Sequence, residues 1–246
     1  MTINIAAAQR AYPDPLDEED AKSALASTLS RDAEKLDAQG TLQLALDVFG
    51  EKIALVSSFG AESAVLLHLL SRIDRSATVI FLDTGKHFEQ THSYRWSLAR
   101  ELGLTDLRVI TPAQRDITAG DPNGDLWRRD TDACCEIRKV RPLDAALAGF
   151  DAWITGRKQF HGGLRVHLPL FEFSGPHIKV NPLARWSAEE LAAYQVRYNL
   201  PAHPLVEQGF SSIGCWPCTQ PTSRGEDARA GRWRGAGKTE CGIHRI

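Results

Sequence analysis

The stretch IALVSSFGAESAVLLHLLSRI, residues 53–73, decides the fold. Ile53-Ala54-Leu55-Val56 is a short apolar run between Lys52 and Ser57, the pattern of a strand buried on both faces. Ser57-Ser58-Phe59-Gly60-Ala61-Glu62 turns the chain, and from Ser63 apolar residues continue at helical density to Ile73. A buried strand, a Ser/Gly turn and an apolar helix in that order begin a parallel α/β sheet. The same alternation recurs downstream. Thr78-Val79-Ile80-Phe81-Leu82 reads as a strand ending in Asp83-Thr84-Gly85, with a helix through HSYRWSLARELG after it. Leu107-Arg108-Val109-Ile110 and Ala152-Trp153-Ile154-Thr155 read as two more strands. Beyond residue 168, HLPLFEF and HIKVNPL predict short strands about a Ser-Gly-Pro turn, and Ser187 with Glu190 forms a capping-box pattern that opens a helix. The expectation is an α/β fold, a parallel sheet with helices on both faces.

Upstream, residues 1–21 form a polar leader whose acids Asp17, Glu18, Glu19 and Asp20 suit a solvated helix start. Residues 22–49 predict two helices broken at Gly40. Residues 219–240 are rich in Gly, Arg and Ser and poor in apolar residues, which predicts a loop or mobile tail. The expected organisation is one nucleotide- and cluster-binding α/β domain over 1–218, with a helical leader over 1–50, and a flexible C-terminal tail over 219–246.

The chain has 246 residues, 43% hydrophobic and 24% charged, an ordinary globular composition that excludes a mainly disordered chain and a disulfide-dense mini-protein. With 31 acidic against 29 basic residues the formal net charge is −2, which points to neither nucleic acid nor a membrane surface. The N-terminus has no targeting pattern, and no apolar run reaches the roughly 20 residues of a membrane span. A cytoplasmic location is expected, where five cysteines call for a metal or catalytic explanation before a disulfide one.

The 57–63 turn is a candidate anion site. Backbone N–H groups at a helix N-terminus favour negative charge, Gly60 allows close approach, and Ser57, Ser58 and Ser63 add donors. A P-loop Gly-Lys-Ser/Thr and a Gly-x-Gly-x-x-Gly fingerprint are both missing. Asp83 and Thr84 end the next strand on the same carboxyl edge, where open α/β sheets bind ligands. Together the two segments predict a nucleotide site.

Cys215-Trp216-Pro217-Cys218 alone could be a redox pair, half a zinc site or two cluster ligands. Cys134-Cys135 narrows the choice. Neighbours on a helix point about 100° apart, awkward for one tetrahedral zinc but suited to two irons of a cubane. The four cysteines therefore favour a [4Fe–4S] cluster over zinc. Cys241 remains, with Lys238 and His244 each three residues away, and local positive charge lowers a thiol pKa. Arg229, Arg232 and Arg234 lie between the cluster candidates and Cys241, where they could bind a multiply charged anion once the tail folds over.

SSFGAES at 57–63, Leu82-Asp83-Thr84-Gly85, Cys134-Cys135-x-x-Arg138-Lys139, Gly214-Cys215-x-x-Cys218-Thr219 and Glu240-Cys241-Gly242-Ile243-His244 together resemble the assimilatory phosphoadenylyl/adenylyl-sulfate reductase family, over residues 40–244. The resemblance implies an adenine-nucleotide α-hydrolase-like domain with a modified pyrophosphate loop. It also implies a [4Fe–4S] cluster on Cys134, Cys135, Cys215 and Cys218, and adenosine 5′-phosphosulfate (APS) as substrate rather than its 3′-phosphorylated form. In that reading Cys241 is the nucleophile that becomes an S-sulfocysteine, later resolved by thioredoxin or glutaredoxin. Lys139, Arg165, Arg229 and Arg232 offset the anhydride charge, and Ser57, Ser58, Phe59, Gly60, Glu62, Ser63, Asp83 and Thr84 hold the nucleotide. After Gly156 the chain reads Arg-Lys-Gln-Phe-His-Gly-Gly-Leu-Arg, where the family often shows an Arg-Arg-Asp-Gln-Ser-like run; the basic residues stay and the Asp and Ser do not. ATP-using relatives of the fold tend to carry Ser-Gly-Gly-x-Asp-Ser at the loop, where this chain has Phe59 and Glu62. A homo-oligomer is left open.

Overall fold

The structure is a computed structural model that describes residues 15–223, 225–235, 238 and 240–244. Most of the leader, and residues 224, 236, 237, 239, 245 and 246 of the tail, lie outside the described residues.

Helix α1 runs Pro15–Asp32 with Glu18, Glu19 and Asp20 exposed, as a solvated helix start requires. Helix α2 runs Ala38–Phe49. The break between them falls at 33–37 rather than at Gly40. Asp37 caps α2, its carboxylate accepting from the Gly40 N–H at 2.7 Å, so Gly40 is absorbed into the first turn.

The remaining elements are β1 Ile53–Val56, α3 Ser63–Ser71, β2 Val79–Leu82, α4 Glu89–Leu102, β3 Leu107–Ile110, α5 Gln114–Gly120, α6 Leu126–Arg129 and α7 Thr131–Cys135. A wider π-helical turn, Glu136–Val140, continues α7 into α8 Arg141–Leu147. There follow β4 Ala152–Ile154, β5 Phe171–Ser174, β6 His177–Val180 and α9 Ala188–Arg197, whose Ser187–Glu190 capping box is formed.

The sheet order is β3-β2-β1-β4-β6-β5, parallel throughout except for the β5–β6 hairpin. Alternate strand residues face two separate cores, as the two-residue side-chain period dictates. Ile53, Leu55, Val79, Phe81, Ala152 and Ile154 pack with α1–α4 and α9. Ala54, Ile80, Leu82 and Trp153 pack on the other face with Leu143 and Leu147 of α8. Both faces are covered, which is why these strands read as unbroken apolar runs.

The chain order along the sheet reverses at β1. Strands β2 and β3 are added on one side and β4 on the other, so the loops after β1 and β4 part at the carboxyl edge and leave a crevice there. Among the described residues no helix is long and apolar enough to cross a membrane.

Candidate active site

The crevice opens into a cavity of about 200 Å³. Ser57, Ser58, Gly60, Glu62 and Ser63 line it from the loop after β1, and Thr155, Gly156, Arg157 and Lys158 from the loop after β4. Lys139, Arg165, Arg229, Arg232, Glu240, Cys241 and His244 complete the wall. The structure thus brings together nearly all the loop residues and basic residues expected from the sequence, with the candidate nucleophile.

The loop is held from within. Ser57 Oγ accepts from the Phe59 N–H at 3.1 Å, and Ser63 Oγ accepts from the Gly60 N–H at 2.8 Å. Phe59 differs from its expected role as a nucleotide contact. It is fully buried, meets Phe81 edge-on at a centroid distance of 5.7 Å, and lies outside the cavity lining. Its φ of +47° is left-handed, which costs a non-glycine residue roughly 1–2 kcal/mol; burying the ring in the core offsets that cost. Gly60 suits a close approach of the chain, since a Cβ there would sit a tight 3.0 Å from the Ile213 carbonyl.

Asp83 and Thr84 also lie outside the lining. Asp83 accepts from the Gly85 N–H at 3.0 Å, which shapes the turn. Thr84 is fully buried and faces the cysteines, its Oγ1 3.2 Å from Cys215 Sγ. In place of these two residues, His87 enters the lining. Burial, and then the charge of Lys139, push its imidazole down to about 4, so it is neutral near pH 7.

Sequence reasoning missed Lys158, His161 and Glu240. Lys158 Nζ lies 2.6 Å from Glu62 Oε2, and His161 Nε2 lies 3.3 Å from the same oxygen. Burial pushes the Glu62 carboxyl up, but His161 and Lys158 outweigh it and hold the group at about 2. Both partners come from the 157–165 run, the stretch that departs from the family pattern. Glu240 forms an ion pair with Arg165 and stands 3.7 Å from Arg229. The signal for it was its place beside Cys241.

Cys134, Cys135, Cys215 and Cys218 border a second, smaller cavity together with Lys86, Arg138, Lys139 and Arg232. The first pair comes from the end of α7 and the second from the 215–218 turn. The Trp216 N–H donates to the Lys86 carbonyl at 2.8 Å and anchors that turn. Among the described residues no three His, Cys, Asp or Glu side chains close around a single metal ion. The cavity nevertheless has a donor set of thiols without a carboxylate or imidazole, flanked by cations, and this chemistry fits an anionic iron–sulfur cluster. Burial pushes the Cys134 thiol up to about 11 and the Cys218 thiol upward, so a metal binding there would displace their protons.

Arg138 is the brace beneath this cavity. It donates to Asp121 at 2.7 and 3.2 Å and to the Thr84 carbonyl at 2.8 Å, with both charged side chains buried. Asp121→Ala leaves that guanidinium uncompensated and is expected to destabilise the chain by about 3–5 kcal/mol in urea unfolding. A loss under about 1 kcal/mol would show that the brace is dispensable.

Lys139 and Arg232 line both cavities and stand between them. Cys241 lies beside them. Its thiol is shifted well below the ordinary value, first by a hydrogen bond with Cys135, then by Lys139, the Ile243 N–H and Arg232, against the opposing effect of burial. His244 does not supply the positive charge expected of it. Burial and the neighbouring cations hold its imidazole neutral, stacked on Trp153 at 5.8 Å and 6°. Lys238 pairs with Asp132, and Arg234 pairs with Glu226 outside the cavity lining.

Among the described residues of 219–235 there is no long regular element, and the stretch packs closely on the domain. The Gln220 N–H donates to the Gly231 carbonyl at 2.9 Å, and the Trp233 N–H to the Cys218 carbonyl at 3.1 Å. Thr219 and Trp233 are buried, and Arg232 crosses Gly214 where a Cβ would collide with its guanidinium. Cation–π contacts explain how so polar a stretch docks, with Arg232 4.4 Å and Arg229 5.8 Å from the centre of the Trp233 ring.

A family model described as the phosphoadenosine phosphosulfate reductase domain matches residues 52–221, which include the loop after β1 and all four clustered cysteines. The chain belongs to this family. It is 54% identical over 200 residues to an adenosine 5′-phosphosulfate reductase of Mesorhizobium japonicum, covering 81% of this chain and 79% of that one. It is 49% identical over 238 residues to the protein of the same name from a Chelativorans species, covering 95% of each. Among solved structures, the phosphoadenylyl-sulfate reductase of Candida auris in its phosphate complex superposes with a TM-score of 0.68 at 27% identity, covering 79% of this chain and 96% of that one. Yeast FAD synthetase, at 13% identity and a TM-score of 0.53 over 83% of this chain and 75% of its own, shares the fold alone. The fold is the one expected from the sequence.

Proposed function

We propose that the protein reduces APS to sulfite and AMP in the cytoplasm, with Cys241 as nucleophile and a reduced dithiol protein of the thioredoxin or glutaredoxin kind as electron donor. The observation that carries this reading is the placement of Cys241 on one cavity wall with the 57–63 loop, Lys139, Arg165, Arg229 and Arg232. The names of the relatives support it.

The β1–α3 loop and the Ser hydroxyls hold the nucleotide phosphate, and the cations draw charge from the sulfate–phosphate anhydride. The Cys241 thiolate attacks sulfur, the S–O bond to the phosphate breaks, and AMP leaves with that oxygen and its electron pair. The product on the protein is a thiosulfonate, Cys241–S–SO₃⁻. One thiolate of the dithiol then attacks Cys241 Sγ and expels sulfite, leaving a mixed disulfide. The second thiolate of the donor resolves it, so the donor ends as a disulfide and Cys241 as a thiolate. The two electrons come from the dithiol.

In this reading Cys134, Cys135, Cys215 and Cys218 hold a [4Fe–4S] cluster. When bound, such a cluster supplies a structural tie between α7 and the 215–218 turn and a negative charge that keeps Lys139 protonated. A Cys135 given over to such a cluster would not hydrogen-bond to Cys241. Lys139, Arg232 and the Ile243 N–H then remain to stabilise the Cys241 thiolate.

Anaerobic purification followed by iron, labile-sulfide and sulfite assays tests the reading. The expected result is about four irons per chain, sulfite formed from APS with a dithiol donor, and much higher kcat/KM for APS than for its 3′-phosphorylated form. Stoichiometric zinc without sulfide would refute the cofactor, and no sulfite from either nucleotide would refute the activity.

A further inference from the structure

Arg165 uses its bidentate edge on a side chain of its own tail. Its Nε and Nη2 donate to the two oxygens of Glu240, the second at 2.8 Å, and its Nη1 lies 3.1 Å from His161 Nδ1. Arg229 Nη2 stands 3.7 Å from Glu240 Oε2. These are two of the cations that the proposed reaction needs for its anhydride. A carboxylate forked onto a guanidinium has the planar, two-oxygen geometry of a phosphate or sulfate edge.

We infer that Glu240 is an internal anion seated on Arg165 and Arg229, and that a phosphate- or sulfate-bearing ligand must displace it to bind those two arginines. The inference deepens the reading of the cavity as a sulfonucleotide site and rests on it for the identity of the ligand. Burial alone would raise the Glu240 carboxyl, but Arg165 and Arg229 keep it below the usual carboxylate range, so the competitor is charged near neutral pH.

The position of Glu240 gives the competition a purpose. It is bonded directly to Cys241, so displacing its carboxylate moves the backbone that carries the nucleophile. Anion arrival and thiol placement are thereby one event. The same contact works in reverse after transfer. Glu240 then competes with the AMP phosphate for Arg165 and hastens its release. Glu240 is therefore a positioning residue.

The energetic consequence is a lowered apparent affinity. If the carboxylate holds the arginines about nine-tenths of the time, a ligand binds roughly tenfold more weakly than to arginines left open. Removing the charge removes that handicap.

Isothermal titration of wild type and Glu240→Gln with AMP, adenosine and inorganic pyrophosphate tests this. The variant is expected to bind AMP and pyrophosphate about tenfold tighter, with adenosine unchanged, and to show about tenfold stronger product inhibition by AMP. Glu240→Ala should show the same gain and covers a failure of the first variant to fold. In an Arg165→Gln background the gain should vanish, which a general loosening of the tail would not produce. Unchanged or weaker binding of pyrophosphate, an equal gain for adenosine, or pyrophosphate binding to neither protein overturns the inference. A gain for pyrophosphate while AMP and adenosine bind neither protein upholds Glu240 as the internal anion and refutes the nucleotide reading of the cavity.

Discussion

Cys241→Ser is expected to lower sulfite production from APS by roughly 10³-fold or more while leaving iron content, fold and AMP affinity near wild type. The size follows from chemistry. The Cys241 thiol has Lys139, Arg232 and the Ile243 N–H beside it to favour its thiolate and is a soft nucleophile toward sulfur, whereas a serine hydroxyl at the same place stays protonated and hard. Sparing of the rest follows from position. Cys241 is only half buried, and the second core holds its neighbour Ile243 rather than Cys241 itself. Wild-type protein given APS without a reductant should release about one AMP per active site and carry a sulfonate on the Cys241 peptide, removable as sulfite by a dithiol. Cys218→Ser should do the opposite and lose iron. Near-normal turnover in Cys241→Ser, or a sulfonate on Cys215 or Cys218, would refute this division of labour.

In the proposed reaction Cys241 has to meet both a bound anhydride and a protein dithiol, and the way its stretch docks suits both tasks. The Trp233 contacts and the Arg165–Glu240 pair hold the tail through cation–π and ionic contacts, for which an incoming anion can compete. A tail held by a large apolar face would not yield to an incoming donor.

The sheet was legible because its central strands are buried on both faces. Residues such as Leu55, Ile80 and Trp153 leave no polar alternation to confuse the period. The break between α1 and α2 was misplaced because a glycine reads as a breaker, while the deciding interaction was the Asp37 cap three residues earlier. Within the site, residues that act through their own local chemistry were legible: the Ser/Gly loop, the cysteines, and the tail arginines Arg229 and Arg232. Residues that act through long-range contact were not. Lys158 reaches Glu62 across the crevice, Glu240 reaches Arg165, and Thr84 turns from the cavity to Cys215, all through tertiary packing that no short spacing encodes. Phe59 misled for the same reason. Its place in an anion loop suggested a contact, and its ring belongs to the core beneath.

Lys139 lies where the two cavities meet, and Lys139→Ala is expected to lower kcat/KM for APS by about 10²–10³-fold, mostly in kcat. The sequence places it four residues beyond Cys135, one α-helical turn on. The structure shows that this turn is the wider π form, Glu136–Val140, a local irregularity that is frequent at functional sites. The result is a lysine that borders the cysteine cavity and the main cavity at once. Burial works against its charge, but Cys215, Cys241 and Cys135 more than compensate and hold it protonated. In the proposed reaction its ammonium lowers the Cys241 thiol pKa before attack and offsets charge on the departing phosphate during it, so the loss is felt most in the transition state. Lys139→Arg should recover part of the rate, because charge matters more here than shape. Two controls separate this role from a structural one. Iron content should stay near wild type in Lys139→Ala, and the pH at which the Cys241 thiol is alkylated at half its maximal rate should rise. A normal alkylation profile together with a tenfold or smaller loss in kcat/KM would place Lys139 with the cysteine-lined cavity alone and leave the charge on the anhydride to Arg165, Arg229 and Arg232.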